Sequence, residues 1–346
     1  MTQKLRIGII GLGIISAAHE VGFEQARDSA EIVAICDINE QRAQQRAAKY
    51  GARVYTRYED LLADKNIDMV DIILPHDLHY PVCKAALLAG KHVLMEKPMT
   101  IHPEDGLDLI NIAKKQAVKF MVAENTRFVK AYLEIQKMLE AGTLGEIYLI
   151  RTLIAGTEIY RMVDPNSWKG RKEGSGGGVI MDAAPHSFYL LRWLFGDIAE
   201  LKAYANQIVP GSEVEDNAII FGRLKNGAQF NLEFSFTVQA PWTERLEVHG
   251  SKGSVIIDQI LNPPSLYYTH AQDYSPQPLK DVLYNPVNWK TDSIALGVSQ
   301  FIEAVINDAE PPVRLVDTYY AIAACASAYH SLKSNQMEAI NTQEGV

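Results

Sequence analysis

Leu5-Arg6-Ile7-Gly8-Ile9-Ile10-Gly11-Leu12-Gly13-Ile14-Ile15-Ser16 is an apolar run that breaks into a glycine turn and then enters a helix-like stretch. A second apolar run, Glu31-Ile32-Val33-Ala34-Ile35-Cys36, closes on Asp37. A strand feeding a tight glycine turn brings backbone N–H groups and a helix N-terminus up to a pyrophosphate, and an acid about 20 residues later grips an adenosine ribose. Gly11, Gly13, Ile14, Ile15, Ser16 and Asp37 are therefore the first candidates for holding a dinucleotide. Ser16 stands where a third small residue is usual, so the placement of Asp37 carries more of the reading than the glycines do.

Working outward from that turn, short β-branched runs alternate with helical stretches through the first 125 residues. Strands are expected at Leu5–Ile10, Glu31–Cys36, Arg53–Tyr55, Met69–Leu74, His92–Met95 and Phe120–Ala123. Between them, Asn39–Tyr50 stops at Gly51, Tyr80–Ala89 stops at Gly90, and Pro103 suits the first turn of a helix running to about Gln116. Strands alternating with helices need parallel crossovers, which are right-handed almost without exception. Residues 1–125 thus read as a doubly wound parallel sheet that binds its ligand at the carboxyl ends of the strands.

The pattern changes from about Gly145. Glu146–Ala155, Leu201–Gln207, Ala218–Leu224, Ala228–Val238, Arg245–Gly250 and Ser254–Asp258 read as strands with hairpin-like spacing, so residues 126–346 form a second, mainly antiparallel α+β domain. Phe230, Leu232, Phe234, Phe236 and Val238 alternate with Gln229, Asn231, Glu233, Ser235 and Thr237, giving one apolar and one polar face. His186–Phe195, Ser293–Asn307 and Asp317–Leu332 are the helices expected to cover the apolar face. The stretch Asp164–Gly178 is the least regular.

Composition removes several classes. The 346 residues are 47% hydrophobic and carry a net charge of −9, enough for a sizeable core and too acidic for a nucleic-acid groove. Cys36, Cys83 and Cys325 are far apart and form no CxxC pair, which disfavours a disulfide framework or a zinc knuckle and fits a reducing cytoplasm. The N-terminal apolar stretch is short and glycine-interrupted, so neither a signal peptide nor a membrane span is expected. His76 and His79 lack carboxylate partners at ligand spacing, and no metal is expected.

Ala89-Gly90-Lys91-His92-Val93-Leu94-Met95-Glu96-Lys97-Pro98 resembles the signature of the Gfo/Idh/MocA oxidoreductase family. Further matches are Leu74-Pro75-His76-Asp77-Leu78-His79, the Gly176-Gly177-Gly178 run leading to Asp182 and His186, Val214-Glu215-Asp216-Asn217, and Gly250-Ser251-Lys252-Gly253-Ser254. The resemblance implies an N-terminal Rossmann domain, a C-terminal open-faced sheet, and NAD(P)-linked oxidation or reduction of a secondary carbinol, often on a sugar or cyclitol. It further implies that Lys97, Asp182 and His186 are the catalytic set, that Leu74, Pro75, His76, His79, Glu96 and Lys97 lie along the nucleotide, and that the polar sheet face pairs subunits into a dimer or tetramer. The chain departs from the pattern at Tyr189, where aspartate is frequent, at His76, where asparagine is usual, and at Lys169 after Trp168, where arginine is frequent.

The residues support those roles on chemical grounds. Hydride transfer needs a base for the hydroxyl proton and a positive group to steady the alkoxide. Lys97 follows a strand end directly. Pro185 favours a helix that starts near His186 rather than one running through Asp182, with a capped start that leaves the imidazole able to accept a proton while Asp182 orients the ring. An ordinary buried histidine beside a capping aspartate is the alternative. Asn125, Arg127, Tyr160, Trp168, Lys169 and Tyr189 are candidates for lining the substrate pocket. Asp37 favours NAD by accepting from both ribose hydroxyls, whereas Arg42 leaves NADP open. Three functions stay open: a polyol, sugar or glycoside dehydrogenase; a glycosidase or lyase that oxidises a ring carbon transiently on retained NAD; and a regulatory protein that senses nucleotide or sugar.

Overall fold

The computed structural model describes residues 4–258, 265–270, 273–279 and 288–342. Its contacts divide the chain into two compact units, Met1–Asn125 with Lys290–Tyr319, and Thr126–Trp289 with Tyr320–Val346. In the first unit the order is β1 (Leu5–Ile10), α1 (Ser16–Gln25), β2 (Ala30–Cys36), α2 (Glu40–Tyr50), β3 (Arg53–Tyr55), α3 (Tyr58–Ala63), β4 (Met69–Ile72), α4 (His76–Leu88), β5 (His92–Met95), α5 (Pro103–Gln116) and β6 (Phe120–Val122). The sheet runs β3-β2-β1-β4-β5-β6 with every pairing parallel. Ile7, Ile9 and Ile10 of β1 and all of β4 are buried, as strands covered by helices on both faces must be. The doubly wound expectation holds.

Local chemistry sets most boundaries. Helix α2 begins where the Asn39 side chain accepts from Arg42 N at 3.0 Å, and α5 begins on Pro103. Two expectations need correction. Strand β4 stops at Ile72 rather than Leu74, and α4 starts at His76 rather than Tyr80, with Pro75 just before it and Pro81 inside it. Pro75 has no N–H for a ladder and suits a helix start, so the chain turns into the helix one turn early.

The second unit adds α6 (Lys130–Glu140), β7 (Ile147–Ala155), the short turns α7 (Ile159–Val163), α8 (Lys172–Ser175) and α9 (Val179–Asp182), then α10 (Ala184–Phe195), β8 (Ile198–Asn206), β9 (Asn217–Leu224), β10 (Gln229–Ser235), β11 (Thr243–Gly250), β12 (Gly253–Asp258), β13 (Ser265–His270) and β14 (Asp273–Pro278). The last two strands were not expected. The sheet order is β14-β13-β12-β11-β7-β10-β9-β8; β7 and β10 pair in parallel and the other pairings are antiparallel. Phe230, Leu232 and Phe234 of β10 face inward as the alternation predicts. Strand β10 ends at Ser235, however, and Val238 is 40% exposed rather than part of the apolar face. Ser235 Oγ donates to Asn217 Oδ1 at 2.7 Å, and Thr237 Oγ1 turns to the same oxygen at 3.1 Å, so side-chain bonds take over where the ladder ends.

Two long helices follow, α11 (Trp289–Ile306) and α12 (Leu315–Ser334). Helix α12 covers β8 as expected, with Tyr320 Oη accepting from Ile198 N and Ser331 Oγ from Ala203 N. Helix α11 does not join that sheet. It packs in the first unit, where Gly22 of α1 abuts Val298 and the Ala295 carbonyl, and where Asn125 Nδ2 donates to Ser293 Oγ at 3.0 Å. Gly22 supplies a backbone surface against which a β-branched residue can close.

The glycine run is also a packing device. Glu215 Oε1 accepts from Gly178 N at 3.0 Å, Ile180 N at 3.1 Å and Tyr329 Oη at 2.7 Å, and a Cβ on Gly178 would overlap the Glu215 carbonyl. Gly178→Ala should therefore lower stability by about 1–3 kcal/mol through overpacking, read as a fall in the urea midpoint at unchanged slope. An unchanged midpoint would show that this approach is looser than described.

Candidate active site

In the first unit the site begins at the turn between β1 and α1. Gly11 has φ +92° and donates its N–H to Cys36 O at 2.8 Å, while a Cβ would overlap the Ile73 carbonyl. Only glycine meets both demands. Leu12 N donates to Asp37 Oδ2 at 2.9 Å. Beyond Leu12 the geometry opens. Gly13 has nothing within 4 Å of where a Cβ would stand, and Ile15 caps α1 with no side-chain hydrogen bond. Ser16 Oγ is buried with no hydrogen-bond partner among the described residues. A helix N-terminus with uncapped donors and an orphaned hydroxyl, reached past a bare backbone, fits a pyrophosphate.

Asp37 is almost fully buried at the end of β2. Its Oδ1 accepts from Asn39 N at 2.8 Å and Arg42 Nη2 at 2.7 Å, and its Oδ2 from Leu12 N and from Arg42 Nε at 3.1 Å. The carboxylate thus braces the glycine turn, and Arg42 lies across it as a half-exposed fork rather than along a solvated helix face. A ribose hydroxyl reaches Asp37 only where the fork yields. Ile38, at 91% exposure, and Ile14, at 81%, flank this corner.

The carboxyl ends of β4 and β5 complete this half. His76 opens α4 and is buried, with the His79 ring 5.7 Å away one turn on. His79 Nδ1 lies 2.7 Å from Pro98 O and Nε2 lies 3.0 Å from Leu74 O, so the ring ties the segment before α4 to the segment after β5. Burial pushes its pKa below the usual imidazole value. Lys97 is half-buried just past β5, and its backbone N–H donates to Glu96 Oε2 at 3.2 Å. Glu96 is held below the usual carboxylate range: burial opposes this, but the bond from His19 and the charges of His19 and Lys97 outweigh it. Asn125, expected at the pocket, is buried with its amide committed to Ser293.

The second unit places Asp182 at the end of α9 and His186 in the first turn of α10, with Ala183 as the joint. The break before His186 matches the Pro185 argument, although α10 starts at Ala184 and no side chain caps it. Asp182 Oδ2 accepts from Lys169 Nζ at 2.6 Å; that ammonium also lies 3.4 Å from Glu158 Oε2 and 5.3 Å from the centre of the Phe236 ring. His186 Nδ1 lies 3.4 Å from Thr126 Oγ1. Lys169 is thus gathered to Asp182 by the loop fold. Thr126 and Glu158 carry no signal in their local sequence, since their partners His186 and Lys169 lie 60 and 11 positions away.

The other candidates are scattered within this unit. Arg127 stacks its guanidinium 4.4 Å from the centre of the Trp193 ring, and Tyr189 is buried against the same Trp193. Tyr160 is 65% exposed on α7, and Trp168 is half-buried beside Gly174. Among the described residues no group of three His, Cys, Asp or Glu could hold a metal ion, and no helix is long and apolar enough to cross a membrane.

Comparison with known proteins follows the same division. Residues 5–124 match the family model described as the oxidoreductase family, NAD-binding Rossmann fold, and residues 132–256 match the GFO/IDH/MocA C-terminal domain. An uncharacterized oxidoreductase of Synechocystis is 31% identical over 274 residues, which span 74% of this chain and 72% of that protein. A myo-inositol 2-dehydrogenase of Thermotoga maritima is 26% identical over 338 residues, 96% of this chain and 97% of that one. The crystal structure of the WlbA dehydrogenase from Bordetella pertussis, in complex with NADH and UDP-GlcNAcA, is similar at a TM-score of 0.89 and 26% identity, covering 99% of both chains.

The open space at Gly13 makes a separable test. Gly13→Ala should melt as the parent does, yet bind NADH at least about 10-fold more weakly, because a methyl group would fill the open approach that a pyrophosphate at this turn requires. Fluorescence titration with NADH decides it, and undiminished affinity would put the pyrophosphate elsewhere.

Proposed function

This chain belongs to the Gfo/Idh/MocA family of oxidoreductases, whose first domain is an NAD-binding Rossmann fold, and on that premise we propose that it oxidises, reversibly, a secondary hydroxyl of a cyclitol, sugar or glycoside. The observation that carries the reading is the position of Lys97. It leaves β5 two strands from β1 at the same edge of the sheet as the glycine turn, about 10 Å away at ordinary strand spacing. A dinucleotide crosses that span. The relatives support the substrate class: one is a myo-inositol 2-dehydrogenase, and another was crystallised with NADH and a UDP-linked sugar acid.

NAD, when bound, supplies the hydride acceptor. The Gly11–Ser16 turn and the uncapped start of α1 hold its pyrophosphate; Asp37 and Arg42 meet the ribose, in an arrangement that admits NAD first and leaves a guanidinium for a 2′-phosphate. His186 takes the hydroxyl proton. Asp182 orients the imidazole, and the bond from Lys169 Nζ holds its carboxylate in place. Lys97 presents an ammonium to the developing alkoxide, which is stabilised most at the transition state. Tyr160, Trp168, Arg127 and Tyr189 belong to the substrate side of the same reading, and Lys169 gives that side a cation already balanced by Asp182 and Glu158.

The outer face of the second sheet supports a homodimer or homotetramer. Tyr204 stacks on Phe221 at 6.2 Å, Ile219 is 48% exposed beside them, and Arg151 reaches Glu247 and Glu233 across the neighbouring strands. This mixture of exposed aromatic surface and a charged network suits pairing with a second copy. Light scattering should give a multiple of the chain mass for the parent and a smaller species for Phe221→Asp; a monomeric parent removes the idea.

The catalytic reading is tested by incubating protein and NAD with inositols, aldoses and glucosides while following NADH absorbance. Turnover should appear on one of these classes. His186→Asn should lower kcat by about 10²–10⁴-fold, the usual worth of a positioned base, with NADH affinity retained. Full activity in that variant would exclude His186 as the base.

A further inference from the structure

Behind the strand ends of the first unit lies a charged cluster that hydride transfer does not directly use. His19, in the second turn of α1, is fully buried. Its Nδ1 lies 3.0 Å from Asp71 Oδ2 and 3.2 Å from Asp71 Oδ1, and its Nε2 lies 2.9 Å from Glu96 Oε1. Asp71, on β4, is fully buried too, and Glu96 is nearly so. Both ring nitrogens face carboxylate oxygens, so with both acids ionised the ring satisfies them by carrying two protons; burial raises the Asp71 pKa, and the His19 charge and bond work against that rise. Burial works against the charge, but the Asp71 charge and the bonds to Asp71 and Glu96 overcome it and raise the pKa to about 10.

An ion cluster in this position is a poor device for stability, because well-packed apolar residues of similar volume serve as well or better. What it does supply is direction. One Glu96 oxygen is taken by His19 and the other by the backbone N–H of Lys97. A single carboxylate therefore joins α1, whose N-terminus faces the pyrophosphate, to the residue that carries the ammonium, and Asp71 anchors the same ring to the strand lying between β1 and β5.

We infer that His19 is a positioning residue for the dehydrogenation: clamped between Asp71 and Glu96, it holds the Glu96–Lys97 segment in register with the pyrophosphate-binding helix and fixes where the Lys97 ammonium is delivered. The inference rests on the proposed role of Lys97. Loss of the imidazolium releases a buried Glu96 oxygen beside Lys97, and that anion then competes with the substrate oxygen for the ammonium.

Two measurements test it. In His19→Gln the kcat on an accepted polyol should fall about 10–100-fold, the scale of a small misplacement of a reacting group, with KM and the NADH dissociation constant within about twofold of the parent. The double variant His19→Gln/Glu96→Gln should be no worse than the weaker single variant, since both act through one contact. A kcat within twofold of the parent, or losses that multiply in the double variant, overturns the inference. Nitrogen-15 spectra of histidine-labelled parent protein read the clamp without turnover: His19 should be doubly protonated at pH 8, and a neutral ring there also overturns it, whether or not the variants fold. A parent that turns over no polyol counts against the proposed function and leaves the spectral test of His19 in force.

Discussion

The first unit is organised around which backbone N–H groups of the β1–α1 turn, and of the helix start behind it, are answered from within the protein. Gly11 N is answered by Cys36 O and Leu12 N by Asp37. Ser16 N turns back to Gly13 O at 3.0 Å, no side chain caps α1, and Ser16 Oγ is buried without a hydrogen-bond partner among the described residues. That division explains why the strand must end on Gly11, which alone can pass the Ile73 carbonyl at positive φ, and why the next strand must end on an acid. Asp37 is a brace of the turn as well as the acid that closes β2.

The same economy separates motif residues that shape the backbone from those available for chemistry. Within the signature segment Ala89–Pro98, Lys91 is buried and donates to Asp64 O and Ile67 O, both at 2.8 Å, so its ammonium closes the end of α3 rather than meeting a ligand. Glu96 and Lys97 lie at the other end of the strand, where chain direction changes and side chains reach the carboxyl edge. In the second unit, Glu215 and Asp216 are likewise occupied by backbone: Glu215 takes the amides around Gly178, and Asp216 takes Ile208 N and Val209 N. Asp182 and Lys169 stand apart from that framework, joined to each other by a side-chain bond, while His186 faces Thr126.

Legibility in the sequence followed how local each cause was. The β1 turn, the Asn39 cap, the Pro103 start and the inward run Phe230, Leu232, Phe234 depend on neighbours a few positions away, and all were readable. Strand β10 was read past its end at Ser235, because Phe236 and Val238 continue the alternation while side-chain bonds to Asn217 end the ladder. Helix α4 starts at His76 rather than Tyr80, directly after Pro75, which suits a helix start. Helix α11 was assigned to the wrong packing surface. Its apolar stripe fits any apolar neighbour, and only Gly22, more than two hundred residues earlier, has the bare backbone on which Val298 sits.

By itself the sequence determined the alternation of parallel strands and helices, the glycine turn with its acid, the second mainly antiparallel sheet, and the residue types able to move a proton and steady an alkoxide. These follow from periodicity, turn chemistry and side-chain chemistry, all properties of short segments. Tertiary structure alone decided that Arg42 lies across Asp37, that Lys169 bridges Asp182 and Glu158, that Thr126 faces His186, and that His19 sits between two buried carboxylates. Each of these joins residues distant in the chain, and the charge a buried group carries depends on which partners folding places around it.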